Sequence, residues 1–204
     1  MSAPDPLILV SLIASRLCHD LASPVGAASN GAELLAEDDD PDLQKQAIAL
    51  ISDATTDATR RLAFYRLAFG SAAGLGDEVA MDELRRLTMD FFATAKRLKV
   101  DWAPGGDMRL GKTRGRALLL LILLAQAALP RGGILTVDAA GRGVVATGTP
   151  IMPPAALALL EGGDPADDHL GAVAALAALL AQASGIRIAV NGGSDRLELL
   201  LVPV

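Results

Sequence analysis

The stretch Arg16-Leu17-Cys18-His19-Asp20-Leu21-Ala22-Ser23-Pro24 puts an imidazole, a carboxylate, a guanidinium and a hydroxyl within three turns of chain. On a helix, His19 falls ~200° around the axis from Leu17 and so faces away from the apolar side. Its own stripe, at steps of three and four, holds Leu12, Arg16, Ser23, Gly26, Asn30 and Glu33, a surface that becomes polar and small-sided as it descends. A partner can dock on such a surface. A neutral imidazole is a nucleophile at cellular pH, provided that an acceptor fixes the proton on its other nitrogen. Asp20 is the adjacent acceptor. Pro24 removes a hydrogen bond to the carbonyl of Asp20 and is expected to bend the helix one turn below the histidine. A histidine beside an aspartate is commonly plain surface decoration, so the case depends on what surrounds the pair.

Two long helical segments are predicted around it. Each opens with Asp-Pro, at Asp5-Pro6 and Asp40-Pro41, which sets an N-cap acceptor before a residue suited to the first turn. From the first start, Val10, Ile13, Leu17, Leu21, Val25, Ala28, Ala32 and Leu35 recur with the period of one buried face, and the acidic turn Glu37 to Asp40 ends the run. From the second, Leu43, Ala47, Leu50, Ala54, Ala58, Leu62, Tyr65 and Phe69 repeat the pattern until Gly70, Gly74 and Gly76. Each helix is roughly 45 Å long at 1.5 Å per residue. A hairpin of two such helices cannot cover its own stripe, so a four-helix bundle made by a homodimer is expected.

Beyond residues 70 to 78 the pattern changes to shorter elements, which divides the chain into residues 1–74 and 75–204. Helices are expected near Asp82–Leu98, Gly115–Leu129 and Asp168–Gln182, with a weaker one at Pro154–Leu160. Strands are expected at Lys99–Ala103, Ile134–Ala139, Gly143–Thr147, Ile186–Val190 and Leu197–Val202. Ala140-Gly141-Arg142 and Asn191-Gly192-Gly193-Ser194 read as hairpin turns. The fold class is α+β, a helical hairpin followed by a sandwich of helices over a mixed, largely antiparallel sheet.

Composition narrows the functions available. With 204 residues, 51% hydrophobic and 21% charged, the chain has too much apolar surface to be disordered. Eighteen Lys+Arg against 24 Asp+Glu give a net charge of −6, and aromatics are 3%. The basic footprint and stacking platforms that nucleic acid requires are missing, as is a basic face for anionic lipid. The single Cys18 forms no internal disulfide, Asp5 stands where a signal peptide would need a basic residue, and the apolar run Ala117–Leu129 is too short to span a bilayer. The expectation is a cytoplasmic protein that uses neither nucleic acid nor membrane.

His-Asp-Leu-Ala-Ser-Pro resembles the H-box of the histidine-kinase dimerisation and phosphotransfer domain, and Arg16 through Leu35 is similar to the ChpT-type histidine phosphotransferases of bacterial phosphorelays. The resemblance covers most of the chain, because that family follows its helical hairpin with a degenerate copy of the kinase ATP-binding domain. Leu118–Leu129 with Pro130-Arg131-Gly132-Gly133 resembles the helix and turn where a working kinase has its N-box. The only asparagines, Asn30 and Asn191, lie elsewhere, and no Asp-x-Gly-x-Gly box is present. The resemblance therefore implies a phosphoryl carrier without ATP or any other cofactor of its own: phosphate arrives from the aspartate of one receiver domain, rests on His19 and leaves to another. It implies Asp20 as the group that orients and deprotonates His19, Arg16 as a charge offset, Ser23 as a hydrogen-bond donor, and Gly26 and Asn30 beneath the docked partner. The partners implied are receiver domains of a CckA-like hybrid kinase and of CtrA-like or CpdR-like regulators, with Mg supplied by the receiver. An active histidine kinase and a scaffold that holds receivers without accepting phosphate are the alternatives.

Other signals compete. Gly106-Asp107-Met108-Arg109-Leu110-Gly111-Lys112-Thr113 matches the P-loop pattern, with Ile134–Asp138 as a Walker B candidate. Pro104 interrupts the preceding strand and Asp107 would repel phosphate, so the context fails. Cys18 reads as core-edge filler, since neighbours on a helix point ~100° apart. His169 reads as part of a solvated first turn, Glu37 to Asp40 as an acidic cap, and Trp102 as core.

Overall fold

The structure, a computed structural model, describes residues 5–37, 40–70, 77–104, 106–152, 154–160 and 168–204. Asp5 and Asp40 each turn a carboxylate oxygen onto the amide two residues ahead, that of Leu7 or Asp42, at 2.8 Å. The two Asp-Pro starts thus open helices α1 (Pro6–Glu37) and α2 (Pro41–Ala68) as expected. α1 continues through Pro24 as one helix, and Pro24 is buried. At Gly31 the two helices come so close that an added Cβ would lie 2.8 Å from Cγ1 of Ile51 and 3.1 Å from the carbonyl oxygen of Ala47.

The expected buried stripe of α1 is not buried within one chain. Val10, Val25 and Leu35 are exposed, as are Leu43, Leu50 and Leu62 of α2. Two helices can cover only the strip between them, and the remaining apolar surface stays open. α1 is also long and apolar enough to cross a membrane by length and composition, with a mean hydropathy of 1.3 in its most apolar window. Arg16, His19 and Asp20 in the middle of α1 set it apart from an ordinary lipid-facing helix.

The second part runs β1 (Glu78–Ala80), α3 (Met81–Phe91), β2 (Leu98–Trp102), β3 (Arg109–Gly111), α4 (Lys112–Ala127), β4 (Gly133–Val137), β5 (Gly143–Gly148), α5 (Pro154–Leu160), α6 (His169–Ala183), β6 (Ile186–Gly192) and β7 (Arg196–Pro203). The five-stranded sheet has the order β2-β4-β5-β7-β6, with β2 parallel to β4 and all other pairs antiparallel. Both expected hairpins form. Strand pairing carries β6 to Gly192, so the second turn falls after Asn191 rather than on it.

Two expectations need correction. α3 stops at Phe91, not Leu98, because tight turns through Phe92, Ala95 and Leu98 take over and Leu98 then enters the sheet. β1 and β3 were not anticipated, since three-residue strands are too short to show a period. The rejection of the P-loop match agrees with the structure. Arg109–Gly111 is an extended strand paired with Glu78–Ala80, so that backbone cannot curl around a phosphate.

Ala117 through Ala125 of α4 are buried on every side, as a helix apolar all round must be. α6 packs along α4, and Trp102 is buried as expected. The boundary proposed at residue 74 lies outside the described residues. Nevertheless the hairpin does not end where the sandwich begins: Phe64, Tyr65, Leu67 and Ala68 of α2 belong to the same core as Leu84 and Phe91 of α3 and the leucines of α4. Arg116 of α4 closes the end of α2, donating to the carbonyls of Ala68 at 3.3 Å and Phe69 at 3.4 Å.

Candidate functional site

Residue 19 lies midway along α1, on the side away from its contact with α2. Its side chain is 84% exposed. His19 Nδ1 lies 3.2 Å from Oδ1 of Asp20, and an ionised carboxylate can only accept, so the contact forms when Nδ1 carries the proton. That tautomer leaves Nε2 with a free lone pair.

Asp20 is turned inward. Its Oδ2 accepts from the hydroxyl of Tyr65 at 2.5 Å and lies 3.4 Å from Nε of Arg16, one turn earlier. Burial raises the Asp20 carboxyl, but the hydrogen bonds from Tyr65 and His19 and the charges of Arg16 and Arg61 outweigh it, and the group sits below the ordinary carboxylate value. Tyr65 is pushed the other way, well above the usual phenol, first by burial and then by its bond to Asp20 and that residue's charge.

Behind this pair opens a cleft of about 670 Å³ between the hairpin and the turn that follows α3, lined by Arg16, Asp20, Arg61, Tyr65, Lys96 and Arg97 among others. Arg61 is held at 2.8 Å by Asp57, and its guanidinium lies 5.7 Å from the centre of the Phe91 ring. Asp57 also accepts from Thr94 at 3.3 Å, which ties α2 to the segment after α3.

The structure therefore divides the expected residues into two groups. His19 and Asp20 are in contact. Arg16 is not on the open face with His19: it is mostly buried, paired with Asp20 and lining the cleft. Ser23 and Asn30 are exposed below His19, and Gly26 has open space where a side chain would be. Tyr65 was read only as part of the apolar stripe of α2. One signal for its role existed, because Tyr65 is the one member of that stripe with a polar tip. Of the other candidates, Cys18 is exposed rather than core-edge filler. His169 sits on the first turn of α6 with Nδ1 3.2 Å from the carbonyl oxygen of Leu12 in α1, so it bridges the two parts of the chain.

An exposed, oriented histidine on a helical hairpin joined to an α/β sandwich defines a class, and residues 81–196 match the family described as histidine phosphotransferase C-terminal domain. The chain belongs to that family. It is 33% identical to the protein phosphotransferase ChpT of Brucella abortus (strain 2308), over 96% of this chain and 97% of the relative. A solved structure of a bacterial phosphotransferase superposes over 98% of this chain and 100% of its own, with a TM-score of 0.79 and 28% identity. The protein is accordingly a histidine phosphotransferase of a phosphorelay.

Proposed function

We propose that His19 is the phosphoacceptor and that the chain carries phosphate between receiver domains through a phosphohistidine, without binding ATP. The observation that carries this reading is the open imidazole whose Nδ1 alone is engaged. The Nε2 lone pair attacks the phosphorus of a receiver's aspartyl phosphate. The N–P bond forms as the P–O bond breaks, and the aspartate leaves with that electron pair. The ring becomes cationic, and its Nδ1–H stays against the Asp20 carboxylate, whose charge offsets it. The reverse steps deliver phosphate to a second receiver. Phosphoryl transfer demands chiefly in-line positioning and charge neutralisation, and Mg held by the receiver supplies part of the latter.

Two features favour a role without ATP. The Asp138 carboxylate is engaged on both oxygens by the Arg142 guanidinium, at 3.0 and 2.9 Å, and also caps the hairpin turn, so it is committed to the fold. Ala117 through Ala125 of α4, buried throughout, offer no polar side chain to a nucleotide. The exposed apolar surface of α1 and α2, including a groove beside Leu17, Leu21, Leu62 and Phe69, fits a second copy in a four-helix bundle. Ser23, Gly26 and Asn30 then lie where a receiver docks below His19. On the family resemblance, the receivers are those of a CckA-like hybrid kinase and of CtrA-like or CpdR-like regulators, in the cytoplasm.

The test is to mix the purified chain with a phosphorylated receiver and look for label that is acid-labile and base-stable. Wild type is expected to take label, His19→Gln none, and ATP alone should give none. Absence of label in wild type with a competent donor, or its persistence in His19→Gln, overturns the assignment.

A further inference from the structure

We propose that Tyr65 is a positioning residue for the phosphoacceptor: its hydroxyl, anchored by an aromatic cluster that joins α2 to α3, fixes the Asp20 carboxylate and through it the tautomer and orientation of the His19 ring. The inference rests on His19 being the acceptor.

The starting point is a geometric difficulty. Consecutive residues on a helix do not face each other, so Asp20 has no intrinsic reason to hold His19. Left alone, its carboxylate would rotate freely at the surface. A group from the other helix removes that freedom. Tyr65 takes Oδ2 at 2.5 Å, Arg16 stands beside the same oxygen at 3.4 Å, and Oδ1 is left directed at Nδ1.

The phenol, in turn, cannot follow the carboxylate. Its ring is buried, with the Phe91 ring of α3 at 5.4 Å edge-on and the rings of Phe69 and Phe64 at 5.5 and 6.0 Å. Burial and the neighbouring anion both keep the hydroxyl protonated, so it is a donor near neutral pH. Asp20 remains the matching acceptor because its carboxyl is held below the ordinary value. Tyr65 touches neither phosphate nor imidazole; it acts on the second through Asp20.

Tyr65→Phe keeps the ring in the cluster and removes only the hydroxyl. Because Tyr65 is the only tyrosine, tyrosinate absorbance reports the bond directly: Asp20→Asn is expected to move its titration midpoint down toward the ordinary phenol value. Nitrogen NMR of the ring, with His169→Gln to assign the two histidines, is expected to show the Nδ1–H tautomer of His19 dominant in wild type and a mixture in Tyr65→Phe. Uptake of label from a phosphorylated receiver should slow about tenfold in Tyr65→Phe, at the lower end for a lost hydrogen bond to a charged group, with the concentration dependence on receiver unchanged. Adding Tyr65→Phe to Asp20→Asn should cost nothing further. A wild-type tautomer and a rate within about twofold in Tyr65→Phe would overturn the proposal, as would a loss that adds to that of Asp20→Asn. Should wild type take no label at all, the acceptor reading falls, and the titration and tautomer measurements still decide whether Tyr65 orients the ring.

Discussion

Gly31 of α1 meets Ile51 of α2 with no room for a methyl group between them: a Cβ there would sit 2.8 Å from Cγ1, and the backbone carbonyl oxygen of Ala47 would be 3.1 Å away. Gly31→Ala gains about 1 kcal/mol in helix propensity but forces an overpacked contact that costs roughly 1–3 kcal/mol. Because relief requires the helix backbone at Ala47 to shift as well as the Ile51 side chain, a net loss of stability is expected, read as a lower thermal midpoint. A gain would mean that the helices separate at this point at no cost.

Acid should weaken the fold through Asp20. Its folded-state carboxyl lies below the unfolded value of 3.8, so ionised Asp20 favours the folded chain. That contribution is whole above the unfolded value and is lost as pH falls through the folded one. Urea midpoints for wild type are therefore expected to fall more steeply than those of Asp20→Asn below about pH 4, and to stand a constant distance above them near neutrality.

Phe64 of α2 and Phe91 of α3 have ring centres 4.4 Å apart, which makes the hairpin and the sandwich share a core. Phe91→Ala is expected to cost about 3–5 kcal/mol and to lower the stability of both parts together. Circular dichroism, which follows the helices, and Trp102 fluorescence, which follows the sandwich, should then report one coincident transition in wild type. Separate transitions would show that the shared rings do not couple the two.

The open apolar face predicts an oligomer. Leu62 is 53% exposed and Val25 59% exposed, and burying a leucine of this kind is worth roughly 1.5–3 kcal/mol. Leu62→Glu combined with Val25→Glu is expected to halve the mass seen by light scattering while leaving helix content intact.

Much of this was legible in the sequence because it is periodic or punctuated. The Asp-Pro starts, the glycine-bearing hairpins and the 3.6-residue repeats each carry a local physical signal, and α1, α2, α6 and the β4–β5 pair lie within a few residues of expectation. What escaped depends on distance rather than neighbours. β1 and β3 exist only because each supplies the other's hydrogen bonds. α3 ends early because Leu98 is claimed by β4, about 35 residues on. At the candidate site, the pairing of His19 with Asp20 was legible from their types and spacing. Arg16 was placed on the wrong side, since a long side chain goes where its ion pair is. Tyr65 reads only as a member of the apolar stripe of α2, because its ring does fill the core and its hydroxyl alone does anything else.

The last turns of α2 are sealed into the sandwich, with Phe64 and Ala68 fully buried and Arg116 clamped on the helix end. The helix that carries Tyr65 and the sheet layer therefore share one packed core, and a domain docking at His19, as proposed, would meet both at once. On that proposal a visitor would have to match an angle set by the shared core as well as a chemical group, so shape would screen partners before any bond to phosphorus is made.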